Sequence, residues 1–112
     1  MHNAEILLER LEAALAAGGP ATALVLVHLR RMSQFAGLIG IEPSRRLAEA
    51  AHDRLVTLLR PGDELVPMAG TDFALVLPRL YSPNHALLAA RKILRDFESP
   101  LRLEEDAYTP VV

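Results

Sequence analysis

The chain has 112 residues, which is enough for one hydrophobic core and a single domain. It carries 12 basic and 14 acidic side chains, with two tyrosines, three phenylalanines and no tryptophan. This balance argues against a nucleic-acid partner, because no excess of basic and aromatic side chains is present. Cysteine is absent, so disulfides and thiolate metal sites are excluded. Without a long apolar segment or a signal pattern, the sequence predicts a cytoplasmic protein that makes no membrane contact.

The first half of the sequence predicts helix, strand and helix. Residues 3–17 have apolar side chains at helical spacing, with Asn3 as the expected N-cap. Residues 22–29 form a near-continuous run of Leu and Val, which predicts a central strand covered on both faces. Pro43 suits the first turn of a helix, and we expect that helix at 44–59.

The second half predicts a hairpin, a helix and two short strands. The hairpin strands are expected at 63–68 and 73–77, and Pro67 predicts that the first of them is an edge strand or bulged. A helix is expected at 82–97, followed by strands at 101–103 and 108–112. The residues of that helix expected to face inward are Ala86, Leu87, Ala90, Ile93, Leu94 and Phe97. The pattern predicts an α+β fold with helices packed on a mostly antiparallel sheet.

Residues 60–78 read RPGDELVPMAGTDFALVLP, and this segment resembles the signature hairpin of GGDEF (diguanylate cyclase) domains. The resemblance rests on Arg60-Pro61-Gly62-Asp63 followed at the family's spacing by Ala69-Gly70-Thr71-Asp72-Phe73. It extends to the whole chain, from the first helix, which begins at Asn3 and continues as a Leu- and Glu-rich run, to the tail TPVV.

The resemblance implies one degenerate GGDEF-like domain over 1–112, with an N-terminal helix in 1–19 and a core in 20–112. Its expected fold is the nucleotidyl-cyclase sheet (the ferredoxin-like palm) with helices packed on it. Relative to the family, the last helix and strand are missing.

Two positions of the family's metal site fall on His28 and Thr71. Diguanylate cyclases join two GTP molecules, and phosphoryl transfer of this kind uses divalent cations held by carboxylates. Magnesium prefers carboxylate and water oxygens to imidazole, and a threonine hydroxyl carries no charge. The resemblance therefore implies that no metal and no cofactor is held here.

Two guanine-contacting positions of the family fall on Ala36 and Arg45. Alanine has no side-chain donor or acceptor, and arginine cannot accept a hydrogen bond from guanine N–H groups. The resemblance therefore implies that neither position can make the family's contact with guanine.

The signature turn itself keeps only part of the family pattern. Ala69 replaces its first glycine and adds a methyl group where backbone approaches nucleotide. Gly70, Asp72 and Phe73 match, but Asp72 stands at the fourth position and not at the metal-holding third. We therefore expect no catalytic residues and no enzyme activity.

Arg60 and Asp63 match the RxxD pair of the family's inhibitory site, which binds cyclic di-GMP. Arginine offers a bidentate donor to phosphate or guanine, and aspartate accepts from guanine N–H groups. The alternative is structural, since Arg60 ends a helix and Pro-Gly-Asp forms an ordinary turn. Both interpretations remain open on the sequence.

The function predicted from the resemblance is an inactive regulatory module of a bacterial cyclic di-GMP signalling protein. Such a module is expected to act by forming a homo-oligomer or by docking to a neighbouring domain, such as one of the EAL type. An exposed sheet edge, left by the missing strand, would supply the contact. The alternative function is a sensor that binds cyclic di-GMP through Arg60 and Asp63.

Overall fold

A computed structural model describes residues 2–29, 38, 40–68, 72–99, 101–103 and 106–108. The elements in chain order are α1 (His2–Ala16), β1 (Ala21–His28), α2 (Ile41–Thr57), β2 (Glu64–Pro67), β3 (Asp72–Leu80), α3 (Asn84–Asp96), β4 (Leu101–Leu103) and β5 (Asp106–Tyr108). The predicted α+β arrangement is confirmed.

The main sheet has three antiparallel strands in the order β1-β3-β2. Leu24 of β1 lies opposite Val76 of β3, and Leu65 of β2 lies opposite Leu75. A separate pair, β4 and β5, is also antiparallel. The prediction from Pro67 is confirmed, because β2 lies at one edge of the three-stranded sheet.

One face of the sheet packs against α2 and α3 to form the main core. On α2, Leu47, Ala51 and Leu55 are fully buried, and their spacing of four residues places them on one helix face. Alternate side chains of β3 point toward them. The buried cluster comprises Val27, Leu29, Leu47, Ala51, Leu55, Phe73, Leu75, Leu77, Leu80, Ile93, Phe97 and Leu101.

The opposite face of the sheet is partly covered by α1, which contacts β3 and β2. Arg10 of α1 forms an ion pair with Glu64 of β2 at 2.8 Å. Asn3 does not act as a cap, because α1 already begins at His2; its side-chain amide donates to the backbone carbonyl of Pro67 instead. The helix is thus fastened to the β2 edge at two points.

Helix α2 begins three residues earlier than the sequence predicts, at Ile41. Gly40 precedes it with φ 96°, a left-handed conformation that glycine adopts freely, and accepts from the Ser44 N–H at 3.2 Å. Pro43 lies within the first turn, where its missing N–H has no helical partner to lose.

The prediction that β1 is a covered central strand is wrong for the described part of the chain. There β1 is an edge strand, and Leu24 and Leu26 on its α1-side face are exposed. Leu87 and Leu94 of α3 were also expected to face inward and are exposed instead. An apolar run or an apolar helix stripe identifies the side chains that burial would stabilise. It does not identify the segment of the fold that buries them.

The last strand also differs from its predicted position. Its described part spans Asp106–Tyr108, so the strand begins two residues before the predicted start at 108. Glu104, Glu105 and residues 109–112 lie outside the described residues.

Candidate functional site

His28 and Asp72 meet at one end of the sheet. They are the last residue of β1 and the first of β3, and the antiparallel register places them directly opposite each other. The Nδ1 atom of His28 is hydrogen bonded to Oδ1 of Asp72, and both side chains are substantially exposed. The pair lies at the end of the β1–β3 ladder. His28 stands where the family has a metal-holding carboxylate, and its imidazole is hydrogen bonded to Asp72.

Phe73 points to the other face of the sheet. Successive side chains of a strand alternate between faces, so the residue after Asp72 enters the core. Phe73 is buried there, and its ring centroid lies 6.2 Å from that of His52 on α2. The buried Phe73 ring packs the start of β3 into the core, while the Asp72 side chain lies on the other face of the sheet and is exposed.

Arg45 lies in the first turns of α2 and pairs within its own helix. Its Nη1 lies 2.5 Å from Oε1 of Glu49, and its Nε donates to Glu42 at 3.2 Å. The hydrogen bond with Glu42 raises the pKa of Arg45 and lowers the pKa of the Glu42 carboxyl. All three side chains are exposed. The guanidinium is thus part of a solvated helical ion-pair ladder.

Four other residues predicted for the degenerate site are not among those that the structure describes. Ala36, Ala69, Gly70 and Thr71 lie outside the described residues. Of the signature turn, the structure therefore places only Asp72 and Phe73.

Arg60 and Asp63 form a closed turn between α2 and β2. The Asp63 N–H donates to the Arg60 carbonyl at 3.0 Å, with Pro61 and Gly62 between them. Gly62 has φ 92°, as the third residue of a type II turn requires. The Asp63 carboxylate accepts from the Arg60 backbone N–H at 2.8 Å and from its Nη2 at 2.7 Å.

This turn is also fastened to the sheet. Nη2 of Arg60 donates to the carbonyl of Pro78 in β3 at 2.8 Å. The Asp63 side chain is only 3% exposed. Its hydrogen bond with Arg60 raises the pKa of the guanidinium. The pair has the geometry that the structural interpretation requires.

A groove of about 370 Å³ runs beside the Arg60–Asp63 turn, between the end of α2 and helix α3. Leucines of β3, of α3 and of the segment directly after α2 line it. Tyr81, His85 and Lys92 line it together with Arg60, and the sequence analysis assigned none of these three to a site with Arg60. His85 and Lys92 are seven residues apart and therefore share a helix face. This seven-residue spacing is the sequence signal that could have placed His85 and Lys92 at one site.

The two predicted sites lie at opposite ends of β3. Asp72 begins the strand, and Pro78, which Arg60 contacts, comes six residues later. At roughly 3.3 Å per residue the two ends are about 20 Å apart. A ligand at the Arg60 groove would therefore not contact the His28–Asp72 pair directly.

Two further searches cover only the part of the chain that is described. No group of three or more His, Cys, Asp or Glu side chains there is arranged to hold a metal ion. No helix there is both long and apolar enough to span a membrane.

Comparison with solved structures identifies the fold. The GGDEF domain of YfiN (or TpbB) from Pseudomonas aeruginosa superposes with a TM-score of 0.86 and 22% sequence identity. The match covers 95% of this chain and 68% of that one. The chain has the fold of a GGDEF domain. No protein-family model and no curated protein matches the sequence.

Two other GGDEF structures are similar to this chain. An EAL/GGDEF domain protein from M. capsulatus gives a TM-score of 0.75 at 23% identity, with 94% of this chain and 70% of that one covered. The coiled coil and GGDEF domain of DgcB from Caulobacter crescentus, in complex with c-di-GMP, gives 0.75 at 15% identity. That match covers 90% of this chain and 54% of the solved chain. The GGDEF resemblance drawn from residues 60–78 is therefore confirmed at the level of the fold.

Proposed function

We propose that this GGDEF-like domain is a catalytically inactive regulatory module in bacterial cyclic di-GMP signalling. The observation that carries the proposal is the hydrogen bond between His28 and Asp72 at the end of the β1–β3 ladder. The fold supports the assignment to the GGDEF group, and the His28–Asp72 pair supports the loss of cyclase activity.

The physical argument concerns charge. Condensing two nucleoside triphosphates builds negative charge on the attacking and leaving oxygens, and paired divalent cations neutralise it. Cations of this kind need several anionic oxygens in one place. Here an imidazole stands at the end of β1 and takes up one oxygen of the Asp72 carboxylate. The carboxylate density that would attract Mg²⁺ is therefore low.

The proposed mode of action is contact with another folded unit. The similar M. capsulatus structure is an EAL/GGDEF domain protein, which supports a neighbouring EAL-type domain or a second copy of this chain as the partner. A domain without turnover can still regulate through such contacts, provided that the partner binds its conformations with different affinities.

The first test is turnover of GTP. We expect no cyclic di-GMP after prolonged incubation of the chain with GTP and Mg²⁺, or with Mn²⁺, when products are separated by chromatography. A GGDEF protein of demonstrated cyclase activity serves as the positive control under the same conditions. Metal-dependent product above the protein-free blank, lost on chelation, would contradict the proposal.

A second candidate function, a cyclic di-GMP sensor, is favoured by the groove beside Arg60. Its volume lies within the range of small-molecule sites, and its lining combines leucines with the cationic side chains of Arg60 and Lys92. A ligand with planar bases and phosphates matches that combination. The similar DgcB structure is a complex with c-di-GMP, which is consistent with such a ligand for the fold.

Calorimetry with cyclic di-GMP tests this candidate. The sensor function predicts saturable binding that Lys92→Gln weakens about tenfold, a loss of about 1.4 kcal/mol. Lys92 lines the groove without joining the Arg60–Asp63 turn, so its replacement leaves the turn closed. Arg95→Ala, on the same helix but outside the groove, is the matched control and should bind normally. Absence of heat with the unsubstituted chain would remove the candidate.

A further inference from the structure

Strand β3 is distorted near its end, at Pro78 and Arg79. The register between β1 and β3 shifts between Ala21 and Ala23, where β3 has one residue more than β1. An extra residue in one strand is a β-bulge, which bends the strand and interrupts its hydrogen bonding. This bulge includes the carbonyl group to which Arg60 donates.

Arg79 adopts a left-handed backbone conformation at the bulge. Its φ is 54°, and among the residues that the structure describes no other non-glycine residue has a positive φ. A side chain makes this conformation unfavourable, so it persists only where the surrounding groups hold it. Three such groups contact Arg79 or its peptide bond.

Two of these groups are glycines from separate segments. Gly19 belongs to the connection between α1 and β1, and a Cβ atom added there would stand 3.1 Å from the Cα atom of Arg79. Gly62 belongs to the Arg60–Asp63 turn, and a Cβ atom added there would stand 2.5 Å from Nη2 of Arg79. The bulge therefore packs against the segment that follows α1 on one side and against the turn on the other.

The third contact fixes the peptide bond between Pro78 and Arg79. Nη2 of Arg60 donates to the Pro78 carbonyl at 2.8 Å. Because a peptide unit is planar, a change in the φ of Arg79 turns the plane that carries this carbonyl. The hydrogen bond from Arg60 therefore opposes relaxation of Arg79 to a negative φ.

The guanidinium of Arg60 holds this carbonyl with the donor that a phosphate would need. Nε and one N–H of Nη2 form a fork on the Asp63 carboxylate, at 3.1 Å and 2.7 Å. The second N–H of Nη2 donates to Pro78, and the described residues supply no acceptor for the neighbouring Nη1. A phosphate bound end-on takes N–H groups of Nη1 and Nη2 together. It would displace the Pro78 carbonyl and leave the Asp63 fork in place.

We propose that the Pro78–Arg79 peptide is a switch that links a phosphate group at Arg60 to the connection after α1. While Arg60 donates to Pro78, Arg79 stays left-handed and packs against Gly19. When a phosphate takes the end-on fork, the peptide turns, Arg79 relaxes to a negative φ, and the contact with Gly19 is lost. The inference rests on the sensor candidate of the proposed function and adds the route by which binding would reach α1.

The surroundings of the bulge suit two arrangements. A pocket of about 150 Å³ lies between α1 and β3, lined by Ala14, Ala17 and Arg79 among others, so the Arg79 side chain has room to move beneath the helix. A ligand shifts two states only through its different affinity for them. The phosphate-bound state gains two donors from Arg60 and releases the strain at Arg79, while it loses the bond to Pro78 and the contact with Gly19.

Hydrogen exchange followed by NMR of the 112-residue chain tests the switch without a ligand. Arg60→Ala removes the donor to Pro78, and we expect exchange of the Ala17 and Gly18 amides, which close the end of α1, to accelerate at least about fivefold. Arg79→Gly removes the preference for a negative φ, so Arg60→Ala should leave both amides unchanged in that background. Arg79→Ala is the matched control, because alanine keeps the preference and the acceleration should persist.

Anion titration repeats the test with Arg60 in place, should circular dichroism show that Arg60→Ala does not fold. Pyrophosphate and cyclic di-GMP are the two probes. In the unsubstituted chain and in Arg79→Ala, we expect saturable shifts of the Gly62 amide signal to be accompanied by shifts of the Gly19 signal. In Arg79→Gly the Gly62 signal should shift and the Gly19 signal should not.

The switch and the sensor function can fail separately. The switch is refuted if Arg60→Ala leaves the Ala17 amide unchanged in the folded chain, or if it acts equally in the Arg79→Gly and Arg79→Ala backgrounds. It is also refuted if an anion shifts the Gly19 signal alike in those two variants, and the sensor function then stands. If neither anion shifts any amide signal, control by ligand is refuted together with the sensor candidate.

Discussion

Replacing Leu75 by alanine is expected to lower the free energy of unfolding by about 2–5 kcal/mol. Leu75 lies at the middle of β3 with neighbours on both sides, opposite Val25 and Leu65. Its side chain is 0% exposed and belongs to the main core cluster. The central strand cannot move to fill the space, because it is hydrogen bonded to β1 and β2. The cavity should therefore persist and add to the lost transfer energy.

Urea denaturation followed by circular dichroism measures this loss at a fixed chain concentration. Leu8→Ala is the matched control, since Leu8 is 57% exposed on α1, and we expect its effect to stay within about 0.5 kcal/mol. Equal effects at the two positions would contradict the burial that the fold assigns to them. A loss of the whole native signal in Leu75→Ala would agree with the upper end of the range, and Leu75→Val would then give the smaller, measurable step.

The order and type of most elements followed from the sequence because local signals agreed. Gly18, Gly19 and Pro20 separate α1 from β1, and the turn at 60–63 separates α2 from β2. On α2, Leu47, Ala51 and Leu55 recur every four residues, so helical spacing alone places them on one face, and all three are buried. Each signal depends on neighbours in sequence, which is why it can be interpreted without the fold.

The position of β1 in the sheet did not follow from the sequence. Its Leu and Val run has the composition of a strand covered on both faces, yet the described chain covers one edge and leaves Leu26 exposed. Strand order depends on contacts between distant segments. Composition records how much apolar surface a strand carries, and says nothing of which segment covers it.

The candidate site was predictable in its parts but not in its pairing. Alignment to the family pointed to His28 at the end of the first strand and to Asp72 in the signature turn, each from its own segment of the sequence. Their hydrogen bond depends on the β1–β3 register, which brings together residues 44 positions apart. The groove residues Tyr81, His85 and Lys92 were missed for the same reason, since only the packing of α3 beside the 60–63 turn brings them to Arg60.

Replacing Asp63 by alanine is expected to destabilise the chain by about 1–3 kcal/mol through the turn that it closes. The buried carboxylate accepts from the Arg60 backbone N–H and from the Arg60 guanidinium, which in turn donates to Pro78. Without it, the backbone donor loses its partner and the guanidinium loses its anchor. The link between the start of β2 and the end of β3 should loosen, and thermal or urea unfolding would measure the loss.

The matched control is Asp53→Ala on α2, where the carboxylate is strongly exposed and the change should cost little. Asp63→Asn separates shape from charge: the amide oxygen can still accept from the Arg60 backbone, so this variant should recover part of the stability. Unfolding of Asp63→Ala at the denaturant concentration of the unsubstituted chain would mean that the turn closes without this carboxylate. The burial of the Asp63 carboxylate beside Arg60 would then have no structural reason, and binding of a ligand in the adjoining groove would become the better explanation for it.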